Sequence, residues 1–98
     1  MNIQAMAKQM QKLQADMMKA KKEIDETTFT GESSFVHVKV SGEKKVLEVK
    51  ILEKNLKEDD VEMLEDMLVI ALNNAFEQVD KITEEKLGKY TKGMPGLF

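Results

Sequence analysis

The chain contains no cysteine. That absence excludes a disulfide framework, a thiol nucleophile and any zinc or iron–sulfur site held by cysteine. The single histidine, His37, supplies neither a cage of imidazoles for a metal nor a comfortable basis for a Ser-His-Asp triad. Arginine is missing too, since all 15 basic residues are lysine. Without the planar guanidinium fork, base-specific reading of DNA is disfavoured, while attraction to phosphate is left intact. A lysine-rich genome would give the same composition. Long apolar runs are also absent. The longest, residues 67–72, falls far short of the ~20 residues of a membrane helix. Lys8 and Lys12 interrupt the apolar residues after Met1, where a signal peptide would need an unbroken stretch. A soluble, intracellular protein without a membrane partner is expected.

With 98 residues there is room for one domain. A domain this short buries only roughly 60–70% of the surface its unfolded chain exposes, so a lone copy would be marginally stable. Hydrophobic residues at 42% and charged residues at 34% make a foldable mixture. The formal charge of −3 hides strong segregation. Residues 1–22 hold five lysines against one aspartate, and residues 23–32 hold four acids and no base. Residues 33–57 are basic again. Residues 58–66 then gather Glu58, Asp59, Asp60, Glu62, Glu65 and Asp66 with no lysine among them.

Ile3, Met6, Met10, Leu13, Met17, Ala20 and Ile24 recur in alternating steps of three and four, an unbroken a/d heptad. A helix over residues 2–26 follows, without Gly or Pro and rich in good helix formers. Its narrow seam suits one partner helix better than a broad core. On the same wheel Lys8 and Lys22 fall at f, and Lys12 and Lys19 at c, which makes a basic stripe opposite the seam.

The middle of the chain, residues 27–53, reads as sheet. Thr27 to Thr30 begin an extended segment closed by Gly31. Val36, Val38 and Val40 then alternate with Phe35, His37, Lys39 and Ser41. The tetrapeptide Ser41, Gly42, Glu43, Lys44 is turn chemistry. Leu47, Val49 and Ile51 are expected on the buried face of the returning strand, with Glu48 and Lys50 facing out. An antiparallel meander buried on one face needs a helix to cover it. Residues 58–90 provide one, with Asp59 and Glu62 as its expected capping pair and Val61, Leu64, Leu68, Ala71, Leu72, Ala75, Val79 and Ile82 as its stripe. Residues 67–72 are apolar all round, so both faces of that helix need cover, which argues for a second copy. The helix is expected to fray near Gly88, and residues 91–98 form a tail broken by Gly93, Pro95 and Gly96.

No phosphate loop, HExxH, nucleophile elbow or EF-hand spacing occurs. Glu58, Asp59 and Asp60 read as dipole complement at a helix start rather than a magnesium site, and His37 as an exposed strand residue rather than a ligand. Met6, Met10, Met17, Met63 and Met67 read as packing rather than a peptide groove. No enzyme, metal, cofactor or small-molecule substrate is expected. The lysine stripe has two readings: a solvated coiled-coil exterior, or phosphate contacts along one helix, doubled in a dimer.

Four stretches together bring a family to view: the opening MAKQMQKLQADM, the TGES that starts the sheet, EDDVEMLEDMLVIALNNA in the second helix, and the closing GMPGLF. In these the chain resembles, nearly end to end, the YbaB/EbfC family of bacterial nucleoid-associated proteins. The resemblance implies an α+β fold of order α-β-β-β-α, with a three-stranded antiparallel sheet between two long helices, in an intertwined homodimer. It implies a cytoplasmic, nucleoid-associated protein whose protruding helices hold double-stranded DNA with weak sequence preference, influencing gene expression. On this chain Lys8, Lys12, Lys19, Lys21 and Lys22 match the family's first basic grip, and Lys86, Lys89 and Lys92 the second. Met63, Leu64, Met67, Leu68, Ile70, Ala71 and Leu72 fall in its dimer region. Many relatives open with a Gly-rich leader before the first helix; here that helix is expected to begin almost at Met1. The rivals are a protein-interaction adaptor for replication or repair proteins and a prefoldin-like holdase, and both leave the lysine stripe dispensable.

Overall fold

The computed structural model describes residues 2–91. Helix α1 spans Ile3–Asp25, strands β1, β2 and β3 span Thr28–Ser33, Val36–Ser41 and Val46–Ile51, and helix α2 spans Val61–Thr91 after a 3-10 turn at Glu58–Asp60. The order is α-β-β-β-α, and the sheet is an antiparallel meander in the order β1-β2-β3.

Helix α1 starts because Asn2 caps it: the Asn2 side-chain oxygen accepts from the backbone N–H groups of Gln4 and Ala5 at 3.0 and 3.3 Å. It ends where β-branched Thr27 and Thr28 take over, with the Thr27 hydroxyl donating to the Glu23 carbonyl at 2.6 Å. At the start of α2 the expected pair of Asp59 and Glu62 is not the one that closes the turn. The Asp60 carboxylate accepts from the Lys57 backbone N–H at 3.0 Å instead. The far end also differs from expectation, because α2 runs on through Gly88 to Thr91.

The core lies between α2 and one face of the sheet. Phe29, Val36, Val38 and Val40 from the strands meet Ala71, Ala75 and Val79 from the helix, with Leu64, Met67, Leu68, Leu72, Phe76 and Ile82 packed around them. Small residues bring the two layers close. A Cβ on Gly31 would run into the Ala71 carbonyl oxygen and come within 2.8 Å of the Ala75 nitrogen, so only glycine fits under the helix. The Gln78 side-chain amide adds a 2.8 Å hydrogen bond to the Thr30 carbonyl.

A helix is about 10–12 Å wide and strands lie about 4.8 Å apart, so one helix covers roughly two strands. Helix α2 accordingly packs chiefly on β1 and β2. Val49 and Ile51 pair with Val38 and Val36, which puts them on the α2 side of the sheet, yet they remain 44% and 39% exposed. Within one chain the expected burial of Leu47, Val49 and Ile51 is therefore not achieved. The register also slips between Lys39 and Val40, so Val46 opposes Val40 and Leu47 becomes the extra residue of a bulge.

The molecule measures 71 × 20 × 14 Å, with a radius of gyration of 19.4 Å. A compact chain of this length would have about 13 Å. The excess comes from α1, whose residues up to Asp16 are all exposed.

Candidate nucleic-acid interface

Five of the expected lysines sit on α1. Lys8, Lys12, Lys19, Lys21 and Lys22 are all exposed. Lys8 and Lys22 stand 14 positions apart, about 21 Å along the helix axis. The stripe exists because c and f positions of a heptad lie opposite the a/d seam, and the seam turns toward α2 where the helices pack. Of the five, Lys21 pairs with Asp25 one turn later at 3.1 Å, with the lysine side chain 58% exposed. A surface pair of this kind leaves most of the charge to solvent.

Lys86 and Lys89 are exposed near the end of α2. The Lys89 ammonium lies 5.1 Å from the centroid of the Tyr90 ring, a cation–π contact that steadies it without neutralising it. Lys92 lies outside the described residues. Helix α2 reaches α1, and the two helices project from the same end of the sheet. The Lys44 ammonium pairs with Asp80, and the Gly42 backbone abuts the Ile24 carbonyl, which fixes the β2–β3 turn, the root of α1 and the middle of α2 together. The structure thus brings the two lysine groups onto one two-helix arm.

The expected dimer residues divide. Met63 and Ile70 are open, at 43% and 56% exposure. Leu64, Met67, Leu68 and Leu72 are half-buried against the core, with some surface still free. Ala71 is fully buried inside one chain beside Gly31 and has no surface to offer a partner. Reading α2 alone missed Val49 and Ile51. The signal was available in the width of the sheet, since a third apolar strand exceeds what one helix covers.

The outer face of the sheet carries polar contacts between strands. The His37 Nε2 atom of β2 lies 3.5 Å from the Glu32 carboxylate of β1, and Lys39 and Glu48 form an ion pair across β2 and β3 at 3.4 Å. Lys50 lies opposite His37. Among the described residues no group of three His, Asp or Glu side chains converges to hold a metal. No helix among them is long and apolar enough to cross a membrane.

These features define a small α+β protein with a basic two-helix arm and a sheet left open along one strand. Residues 1–94 match the YbaB/EbfC DNA-binding family, and the chain belongs to that family, which is non-catalytic. It is 43% identical over 99 residues to a nucleoid-associated protein of Ligilactobacillus salivarius, covering 99% of this chain and 95% of that one. It is 44% identical over 97 residues to a nucleoid-associated protein of Lactococcus lactis, covering 97% and 98%. An uncharacterized protein of Helicobacter pylori shares the fold, with a TM-score of 0.73 at 18% identity over 94% of this chain and 98% of that one.

Proposed function

We propose that this protein binds double-stranded DNA as a homodimer, gripping the phosphate backbone with weak sequence preference and acting on the nucleoid and on gene expression. The observation that carries the reading is the exposed row Lys8, Lys12, Lys19 and Lys22 on a helix whose first half projects free of the fold. Family membership and the relatives' description as nucleoid-associated support it. The lysines act as point charges that displace counterions from phosphate, which needs no base contact and suits a chain without arginine. The net charge of −3 does not oppose this, because charges act within a Debye length of about 8–10 Å.

The homodimer rests on the open apolar surface. Val49 and Ile51 on β3, and Met63, Val69 and Ile70 on α2, are too many large apolar side chains for a domain of this size to leave in water. A second copy closes both surfaces at once and doubles the lysine arms. The acidic residues 58–66 sit at the α2 N-terminus, away from the arm, where they complement the helix dipole.

The test is titration of a labelled duplex with the protein and with a Lys8→Gln, Lys12→Gln, Lys19→Gln, Lys22→Gln variant. Loss of affinity is expected at every duplex sequence tried. Unchanged affinity would return the stripe to solvent and favour the adaptor or holdase reading.

A further inference from the structure

The a/d seam of α1 is covered along only part of its length. Exposure along it falls from 80% at Ile3 to 51% at Met6, 50% at Met10, 37% at Leu13 and 2% at Ile24. The cause is the direction of the two helices. Gly31 lies against Ala71 and Ala75, and Thr30 against Gln78, so following β1 back toward α1 leads toward the C-terminal end of α2. Helix α1 therefore leaves the sheet antiparallel to that end. From Asp80, level with the root of α1 through Lys44 and Gly42, α2 continues to Thr91. That stretch is about 17 Å of axis. The same length measured back from Asp25 ends near Gln14. Among the described residues the cover of the seam stops there, and Ile3, Met6, Met10 and Leu13 project past it.

We infer that this stretch pairs with the same stretch of a second copy, tip to tip and antiparallel, as a joint between two arms. The order of residues is complementary to itself in that direction. In an antiparallel pair the a positions of one helix face the d positions of the other. A twofold axis at the level of Lys8 then sets Ile3 against the second copy's Leu13, and Met6 against its Met10. Every exposed seam residue finds an apolar partner over about 15 Å of axis. Charge selects the same occupant. The e and g positions flanking the open seam are Asn2, Ala7, Gln9 and Gln14, with Asp16 at the inner edge. Across the axis Ala7 meets Ala7, Gln9 meets Gln9 and Asp16 meets Asn2, so no like charges oppose. A strongly charged partner would find nothing there to answer it. The small Ala7 lets the two helices approach. Lys8 and Lys12, at f and c, stay on the outside of the pair, so the joint leaves their phosphate contacts open. Four side chains a side bury less than the ~1,200 Å² at which stable interfaces begin. The joint therefore forms where arms are crowded together and not in dilute solution.

The absence of native cysteine makes the test direct. Full chains carrying Met6→Cys and full chains carrying Met10→Cys, one of the two isotope-labelled, are mixed in equal amounts at high concentration and mildly oxidised. Chance collision would put the mixed bond in half of the cross-linked product. The antiparallel register is expected to raise that share well above half. Cross-linking is also expected to be several-fold faster than in a Met18→Cys protein, whose exposed side chain lies off the seam. A mixed share of half or less, or a rate no faster than that control, would overturn the proposal. Adding Ala7→Glu and Gln9→Glu sets like charges against each other across the axis while keeping good helix formers. That change is expected to slow the cross-linking several-fold, and an unchanged rate would overturn the proposal too. Neither readout involves DNA or the apolar surfaces of β3 and α2, so this inference and the proposed function stand or fall separately.

Discussion

Replacing Gly31 by alanine tests the packing that positions every other part of the molecule. A methyl group there would meet the Ala71 carbonyl oxygen, and would lie 2.8 Å from the Ala75 nitrogen and 2.9 Å from the Ala75 Cβ. Carbon contacts are comfortable at about 3.5–4.0 Å, so α2 must retreat by about 1 Å. Two of the three obstacles are backbone atoms, which have no alternative rotamer. A retreat of that size costs a quarter to a half of each contact's attraction across the interface of Phe29, Val36, Val38 and Val40 with Ala75 and Val79. Overpacking typically costs about 1–3 kcal/mol, and the backbone obstacles place this case near about 3 kcal/mol. In a domain of this size that lowers Tm by roughly 12–24 °C. The assay is denaturant unfolding followed by far-UV circular dichroism at one fixed protein concentration, because the proposed self-association would make stability concentration-dependent. Ala75→Gly in the same background removes only one obstacle and should restore little. A Gly31→Ala protein within about 0.5 kcal/mol of the unmodified chain would refute the close approach of α2 to β1.

Ile70 and Leu68 should respond differently to lysine. Ile70 is open in one chain, so Ile70→Lys is expected to sediment as a folded monomer, whereas Leu68 packs on the core and Leu68→Lys is expected to unfold. A folded dimer from Ile70→Lys would remove that side of α2 from the interface. Lys21→Gln breaks a one-turn surface pair with Asp25, so a loss of only about 0.3–0.5 kcal/mol is expected in the same unfolding assay. Its effect on DNA affinity should be smaller than that of Lys12→Gln, because Asp25 already answers part of the Lys21 charge.

The elements that follow from local chemistry were legible in the sequence. The heptad from Ile3 to Ile24 and the alternation of Val36, Val38 and Val40 each became the element their period implies. What escaped depended on contacts remote in sequence or on backbone geometry. Lys44 adopts a left-handed conformation, with φ of 65°, in the turn before β3, and the register slip that follows makes Leu47 a bulge residue. Nothing in the alternation of Leu47, Val49 and Ile51 announces that slip. Gly31 read as the end of an extended segment because its neighbour, the backbone of α2, lies some forty residues away along the chain. The lysine stripe was visible from wheel positions alone. The DNA role proposed for it was not, because a solvated coiled-coil face has the same spacing; family membership favours the DNA reading and the lysine substitutions test it.

The most direct test of the central claim is a salt series of duplex titrations, followed by fluorescence anisotropy on two unrelated sequences. Each phosphate contact contributes a slope of about −0.9 in log K against log salt, and a dimer gripping through several lysines per arm should give about −3 to −7. The slope should be nearly equal for both duplexes and clearly shallower when Lys8, Lys12, Lys19 and Lys22 are glutamine. Absence of binding at low salt, or a slope unaffected by the four substitutions, would contradict the account.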